Sequence, residues 1–320
     1  MNVRQVIPRD AIPSIDEPRF DGTHSWDGGD RVIVVDGEPA RAYPLRILDY
    51  HEIVNDDLET ADGSQPIAVT WCPLCGSAVV YDRRVEGRTL SFGVSGKLAD
   101  DDLVMYDRET DSEWKQSSGT AIAGTLSGQQ LSVVPAATMS AGRFAREYPD
   151  GLVLQPVPDA ESEAAGTGDE PEPVDYDERP YAGYFAGDGF GLSAHRGSDG
   201  RAWEREDVDP KTVVLGLERD GEAVGVPLPA VEDADGLLEV EVADADVLVV
   251  AADGLHAFER PTDEFDIEEV TDEHLVADGT TWNGATGRSA DGRRLERVPA
   301  RRLFAFAWAD DHGPDSFFEG

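Results

Sequence analysis

Cys72 and Cys75 are the two cysteines of this 320-residue chain, and they stand in one Cys-Pro-Leu-Cys-Gly run, Cys72 to Gly76. Thiols so close together admit three uses. As thiolates on a knuckle shaped by Pro73 and Gly76 they can clasp Zn²⁺ or another soft metal, with Gly76 turning backbone amides toward sulfur. As a dithiol they can exchange disulfides. As small buried residues they can simply close a turn, since free cysteine is among the most buried residue types. A metal site is the leading expectation, because a single Cys-x-x-Cys is no secreted disulfide framework and in a cytosolic chain generally marks chemistry. Its tetrahedron needs two more ligands. His51 is the expected third, and His24, Glu52, Asp100, Asp101 or a water is the candidate fourth. A Cys₂His set with an open position suits a catalytic or metal-sensing role better than a structural one.

The arrangement Trp71-Cys72, two residues before Cys75, also resembles the redox dithiol of thioredoxin-like proteins. There, however, a long helix starts at the dithiol and lowers a thiol pKa. Here Gly76-Ser-Ala-Val-Val-Tyr81 is β-rich. Nearby, Phe92-Gly-Val-Ser-Gly-Lys97 is followed by Leu98 and so lacks the spacing of a phosphate loop. Lys97 is one of three lysines, with Lys115 and Lys211, in a chain whose other basic residues are arginine; it is a candidate anion contact. Gln116 is a second candidate at the same site, whereas Trp114 reads as core. Asp100-Asp101-Asp102 reads as a solvated acidic face, although it could offer oxygen ligands.

The elements that must position these residues are mainly strands. Short Val/Ile/Leu/Tyr runs are separated by turn pairs such as Asp36-Gly37, Asp220-Gly221, Ser127-Gly128 and Asp291-Gly292. Helical patterns cover Leu45 to Asn55, and Thr138 to Glu147 with a counterpart near Trp308. The expected class is α+β, mainly β.

The chain also reads as written twice. Asp36-Gly-Glu-Pro-Ala-Arg-Ala-Tyr-Pro-Leu45 parallels Asp220-Gly-Glu-Ala-Val-Gly-Val-Pro-Leu228, and the strands around the cysteine loop parallel Val247–Val250 and Gly254–Arg260. Ser112-Glu-Trp114 parallels Thr280-Thr-Trp282, and Gly128–Ala136 parallels Gly292–Ala300. This predicts a first repeat over residues 1–155, an acidic flexible linker over 156–178, and a degenerate second repeat over 179–320. The second copy has no cysteine and no counterpart of His51, so shared residues read as scaffold and the unshared Cys72, Cys75 and His51 as function. Two packed β domains and one joint β structure both remain open.

Composition narrows the partners. Sixty-six acidic residues oppose 27 basic ones, a formal net charge of −39, spread along the whole chain. Phosphate contacts need clustered Lys and Arg, and so acidic a chain argues against nucleic acid and against anionic membrane surfaces. Such self-repulsion is relieved at molar salt, where the Debye length is about 3 Å. The composition therefore predicts a salt-adapted protein of haloarchaeal type. With no signal-like N-terminus and no run long enough to span a bilayer, the expected location is the cytoplasm.

The run Ala42-Tyr-Pro-Leu-Arg-Ile-Leu-Asp-Tyr-His-Glu-Ile-Val-Asn-Asp56 closely resembles the opening motif of the domain-of-unknown-function 3179 family. So do Val69-Thr-Trp-Cys-Pro-Leu-Cys-Gly-Ser-Ala78, Phe92–Lys97 and Leu103-Val-Met-Tyr-Asp-Arg108. The resemblance covers nearly the whole chain, the acidic linker being the main departure, and its motif positions here are His51, Cys72, Cys75, Lys97 and Trp114. It implies no activity, because the family is biochemically uncharacterised. The expected function is a metal-binding protein and candidate enzyme using Cys72, Cys75 and His51. A thiol-disulfide oxidoreductase using Cys72 and Cys75, or a non-catalytic interaction domain, are the alternatives.

Overall fold

β-branched and aromatic runs decide the architecture. Ser77–Asp82 and Asp102–Asp107 are buried along almost their whole lengths, the pattern of strands covered on both faces. The computed structural model describes residues 1–24, 26–166, 170–197, 201–262 and 264–319, and is mainly β, with several sheets and short helices.

The largest sheet has six strands, in the order Glu222–Pro227, Val213–Arg219, Ala300–Phe304, Ser77–Asp82, Gly63–Cys72, Ile53–Thr60. It is built from both ends of the chain: Ala300–Phe304 joins Ser77–Asp82 antiparallel, with Arg302 opposite Ala78. A five-stranded sheet holds Val3–Gln5, Phe92–Ala99, Asp102–Asp107, Glu113–Lys115 and Thr120–Ala123. Another is built around Ala137–Ser140, Arg31–Val35 and Arg41–Pro44. One continuous core lies under the cysteine loop, with Phe92, Trp114, Phe306 and Trp308 among its buried members.

The expected helix Leu45–Asn55 ends early. It covers Leu45–His51, and Glu52 at its C-cap takes φ +57° before the strand Ile53–Thr60 begins. The expected Thr138–Glu147 helix starts late, because Ala137–Ser140 pairs with Arg31–Val35 as a strand. Ser140 then caps Ala141–Glu147, its Oγ accepting from the Arg143 N–H at 3.2 Å. Asp220-Gly221 does form a two-residue hairpin turn, with positive φ at both residues. Within the acidic segment 156–178, Glu161–Ser162 pairs with Glu172–Pro173. The carbonyls of Asp175 and Tyr176 accept from Tyr50 and Arg46, so that part packs on the first helix.

Candidate functional site

Cys72 ends the strand Gly63–Cys72 and sits opposite Ser77, leaving Pro73–Gly76 as a four-residue hairpin loop. The Gly76 N–H donates to Pro73 O at 3.3 Å. Gly76 takes φ +54°, and a Cβ there would lie 2.7 Å from the Phe304 ring, so the position needs glycine twice over. Strand Ala300–Phe304 holds the loop from outside: Phe304 N–H donates to Cys75 O at 2.8 Å, and Arg302 donates to Gly76 O. From the second half of the chain, Tyr184 donates to Leu74 O at 2.6 Å.

A hairpin from the five-stranded sheet meets the loop. Its turn, Asp100-Asp101, has φ of 53° and 68°, which is the turn geometry that matches strand twist. There Asp101 O accepts from Cys75 Sγ at 3.4 Å, and Asp102 comes next as the first strand residue. The sulfurs of Cys72 and Cys75 and a carboxylate oxygen of Asp102 all lie within 4.8 Å of one another. The three residues are at most 2% exposed, and both cysteines are free thiols. One Asp102 oxygen accepts from the Ser117 N–H at 2.8 Å; the other, Oδ1, is buried with no hydrogen-bond partner among the described residues.

Burial governs the charges. It raises the Cys72 thiol, and it raises Cys75 well above the ordinary range, with Cys72 adding to the effect. It lifts Asp102 to about 6, opposed by Lys115. Lys115 is itself buried; desolvation pulls its pKa down, but its ion pair with Asp311 and the proximity of Asp102 outweigh that and raise it. A fixed cation thus stands beside Asp102 and Cys75.

Cys72 also borders a cavity of about 90 Å³ whose wall includes Glu52, Lys97, Tyr181 and His195. Burial, then the neighbouring Glu163, Asp102 and Asp49, raise Glu52 to about 8. Lys97 faces this cavity while its Nζ pairs with Glu113 at 2.5 Å. The Phe92–Lys97 run is a bulged strand: Val94 faces Met105 while Lys97 faces Val104, and Gly96, at φ +74°, lets its carbonyl accept from Val6 and Ile7.

The other expected residues lie elsewhere. His51 is outside the Cys72/Cys75/Asp102 group; its Nδ1 pairs with Pro13 O at 2.8 Å and its Nε2 with the Tyr176 hydroxyl at 2.6 Å. Burial lowers its pKa to about 4. Gln116 is fully buried behind the hairpin and donates to Thr70 Oγ1 at 2.7 Å. Trp114 is core, its indole donating to Asp107 at 3.0 Å.

The model of a family described as "Protein of unknown function (DUF3179)" matches residues 9–316. The chain belongs to the DUF3179 family. No curated protein and no solved structure matches it.

In this DUF3179 protein the motif positions divide. Cys72 and Lys97 line one cavity and Cys75 adjoins Cys72, whereas His51 and Trp114 are held in hydrogen bonds elsewhere. Asp102 departs from the expectation that the acidic triplet is a solvated face: it is 1% exposed and is the third member of the cluster. The signal lay in its C-terminal neighbours. Leu103-Val-Met-Tyr106 is an unbroken apolar run, and Asp102 is buried as the first residue of that strand. Lys115 carried only the rarity of lysine in this chain, and Asp311 and Tyr181 had no such signal. They reach the site only through tertiary folding.

Proposed function

We propose that this DUF3179 protein binds a metal ion of the Zn²⁺ type through Cys72, Cys75 and Asp102, with the fourth position turned toward the cavity that Cys72 borders. The carrying observation is the buried Asp102 Oδ1, unpaired among the described residues and clustered with two thiols. An unpartnered buried oxygen is costly, and a cation is the partner its surroundings suit. Two thiolates and a carboxylate suit Zn²⁺ or a related borderline-soft ion. Such an ion supplies Lewis acidity and a bound water of lowered pKa. Glu52, on the cavity wall and protonated up to about pH 8, is the residue placed to give or take a proton there.

Thiol-disulfide exchange is the less supported reading. It needs an accessible thiolate, and here both thiols are buried, both are raised in pKa, and a strand rather than a helix succeeds the loop. The test is elemental analysis of protein purified in molar salt, with a parallel thiol count. About one metal per chain is expected, falling below a tenth in Cys72→Ser and in Asp102→Asn, with His51→Gln unchanged. No metal before or after reconstitution would overturn the reading, and a reversible two-electron thiol couple would install the redox one.

We also read the chain as a duplicated unit. Ala137–Ser140, Arg31–Val35 and Arg41–Pro44 lie in the same order as Ala300–Phe304, Val213–Arg219 and Glu222–Pro227. Each set leads through a Pro-Leu step into a short helix and then a three-stranded meander. On this reading the second copy supports the first copy's site, and the salt-adapted, cytoplasmic assignment rests on composition.

A further inference from the structure

A second cavity, of about 250 Å³, is lined by Trp71, which precedes the cysteine loop, and by Arg302 and Phe304, which hold that loop. Its wall carries four arginines, Arg31, Arg46, Arg179 and Arg302, against two carboxylates, Asp30 and Asp49. In a chain with 66 acidic and 27 basic residues, a chamber with that balance is not a sample of the surface.

The arginines are not equally neutralised. Asp30 is shared by Arg46, at 2.8 Å, and Arg179. Arg31 pairs with Asp253 at 2.6 Å. Arg302 forms no ion pair among the described residues; it donates to Gly76 O and lies over the Trp71 and Phe304 rings, 5.6 Å from each centroid. Desolvation and the nearby Arg31 lower its pKa to about 10, the mark of a cation short of a counter-ion. Asp49 does not serve it: burial lifts that carboxyl to about 7, and its Oδ1 accepts from Trp71 Nε1 at 2.9 Å.

The rest of the wall is apolar. Trp71 and Phe304 flank Arg302, and Phe185, 42% exposed, stands at the rim. A cavity of roughly 150 Å³ suffices for benzene, so this one has room for a ring and a charged group.

We propose that this chamber binds a small carboxylate with an aromatic or branched apolar body, its carboxylate on Arg302 and its body against Trp71, Phe304 and Phe185. Guanidinium presents a planar fork that matches a carboxylate, and the aromatic walls exclude the water that would otherwise compete. The chamber touches both halves of the chain, and its anion-binding arginine also holds the carbonyl of Gly76. The assignment is independent of the metal.

The test is calorimetric titration of the full chain in molar KCl, where chloride is the standing competitor, with benzoate and separately with inorganic phosphate. Saturable binding of one benzoate per chain is expected, weakened about tenfold in Arg302→Gln and by a smaller factor in Arg179→Gln. Circular dichroism checks that each variant is folded; if Arg302→Gln is not, Arg179→Gln and Phe185→Ala decide. Binding of phosphate without benzoate, no binding of either, or benzoate binding unchanged in the folded variants would each overturn the proposal.

Discussion

A buried carboxyl keeps its proton to higher pH than a free one, and besides Asp102, which burial lifts to about 6, two such groups stand next to the cysteine loop. Burial lifts Asp49 to about 7 and Glu52 to about 8. In both, the folded state holds a proton that the unfolded chain releases, so stability falls as pH rises toward those values. The buried His51 and His256 act oppositely, since burial lowers them to about 4 and about 3 and the unfolded chain binds their protons first. Their effect ends near the ordinary histidine range, at about pH 6.5. Between about pH 6.5 and 8 the carboxyls act alone, with a slope of about 1.4 kcal/mol per pH unit for each proton retained. Denaturant melts in molar salt should therefore show stability declining over that interval. Glu52→Gln should flatten the upper part of it, and an unchanged slope in that variant would show that Glu52 ionises normally. The same burial explains what the sequence conceals at this scale. Cys72, Cys75 and Lys97 are legible because their types are rare in the chain. Glu52 and Asp102 are two of 66 acidic residues; the sequence offers Glu52 as one candidate ligand among several and sets Asp102 before an apolar run, and their enclosure is what separates them from the other acids.

The loop is an element completed from a distance. Its backbone is held by Phe304, and Gly76 has no room for a side chain because the Phe304 ring occupies that space. Gly76→Ala should therefore destabilise the protein by roughly 1–3 kcal/mol, through a strained φ and a steric clash together. Adding Phe304→Ala should recover the steric part, giving a coupling in the double-mutant cycle. Independent, additive effects would mean that ring and loop do not meet. Strands could be read from short β-branched and aromatic runs, and turns from Asp-Gly pairs such as Asp220-Gly221. What could not be read is that Ala300–Phe304 closes the sheet beside Ser77–Asp82. Pairing between residues so far apart in sequence leaves no local periodicity. The helix limits failed for a related reason: Ile53 and Thr138 fit an amphipathic pattern, but each has a strand partner, Thr70 and Ile33, that a window of sequence cannot see.

At the scale of the whole molecule, the net charge of −39 works against bringing acidic surfaces from distant parts of the chain together. The six-stranded sheet depends on such contacts, since its central neighbours come from residues 77–82 and 300–304. At 0.1 M salt the Debye length is about 10 Å, so surface carboxylates repel across neighbouring elements; at 1 M it is about 3 Å and they scarcely interact. Buried pairs such as Lys115–Asp311 are little affected by the same change. Dilution should therefore loosen the joint between chain ends before it disturbs local hairpins. The expected result is a melting temperature that falls steeply from molar KCl to 0.1 M, with the Trp71 environment changing ahead of the far-ultraviolet signal. Sucrose at matched water activity should restore less of it than KCl does, because exclusion strengthens burial without screening charge. A melting temperature indifferent to salt would mean that the acidic surface is arranged so that its repulsion already cancels, and the salt-adaptation reading would fall with it.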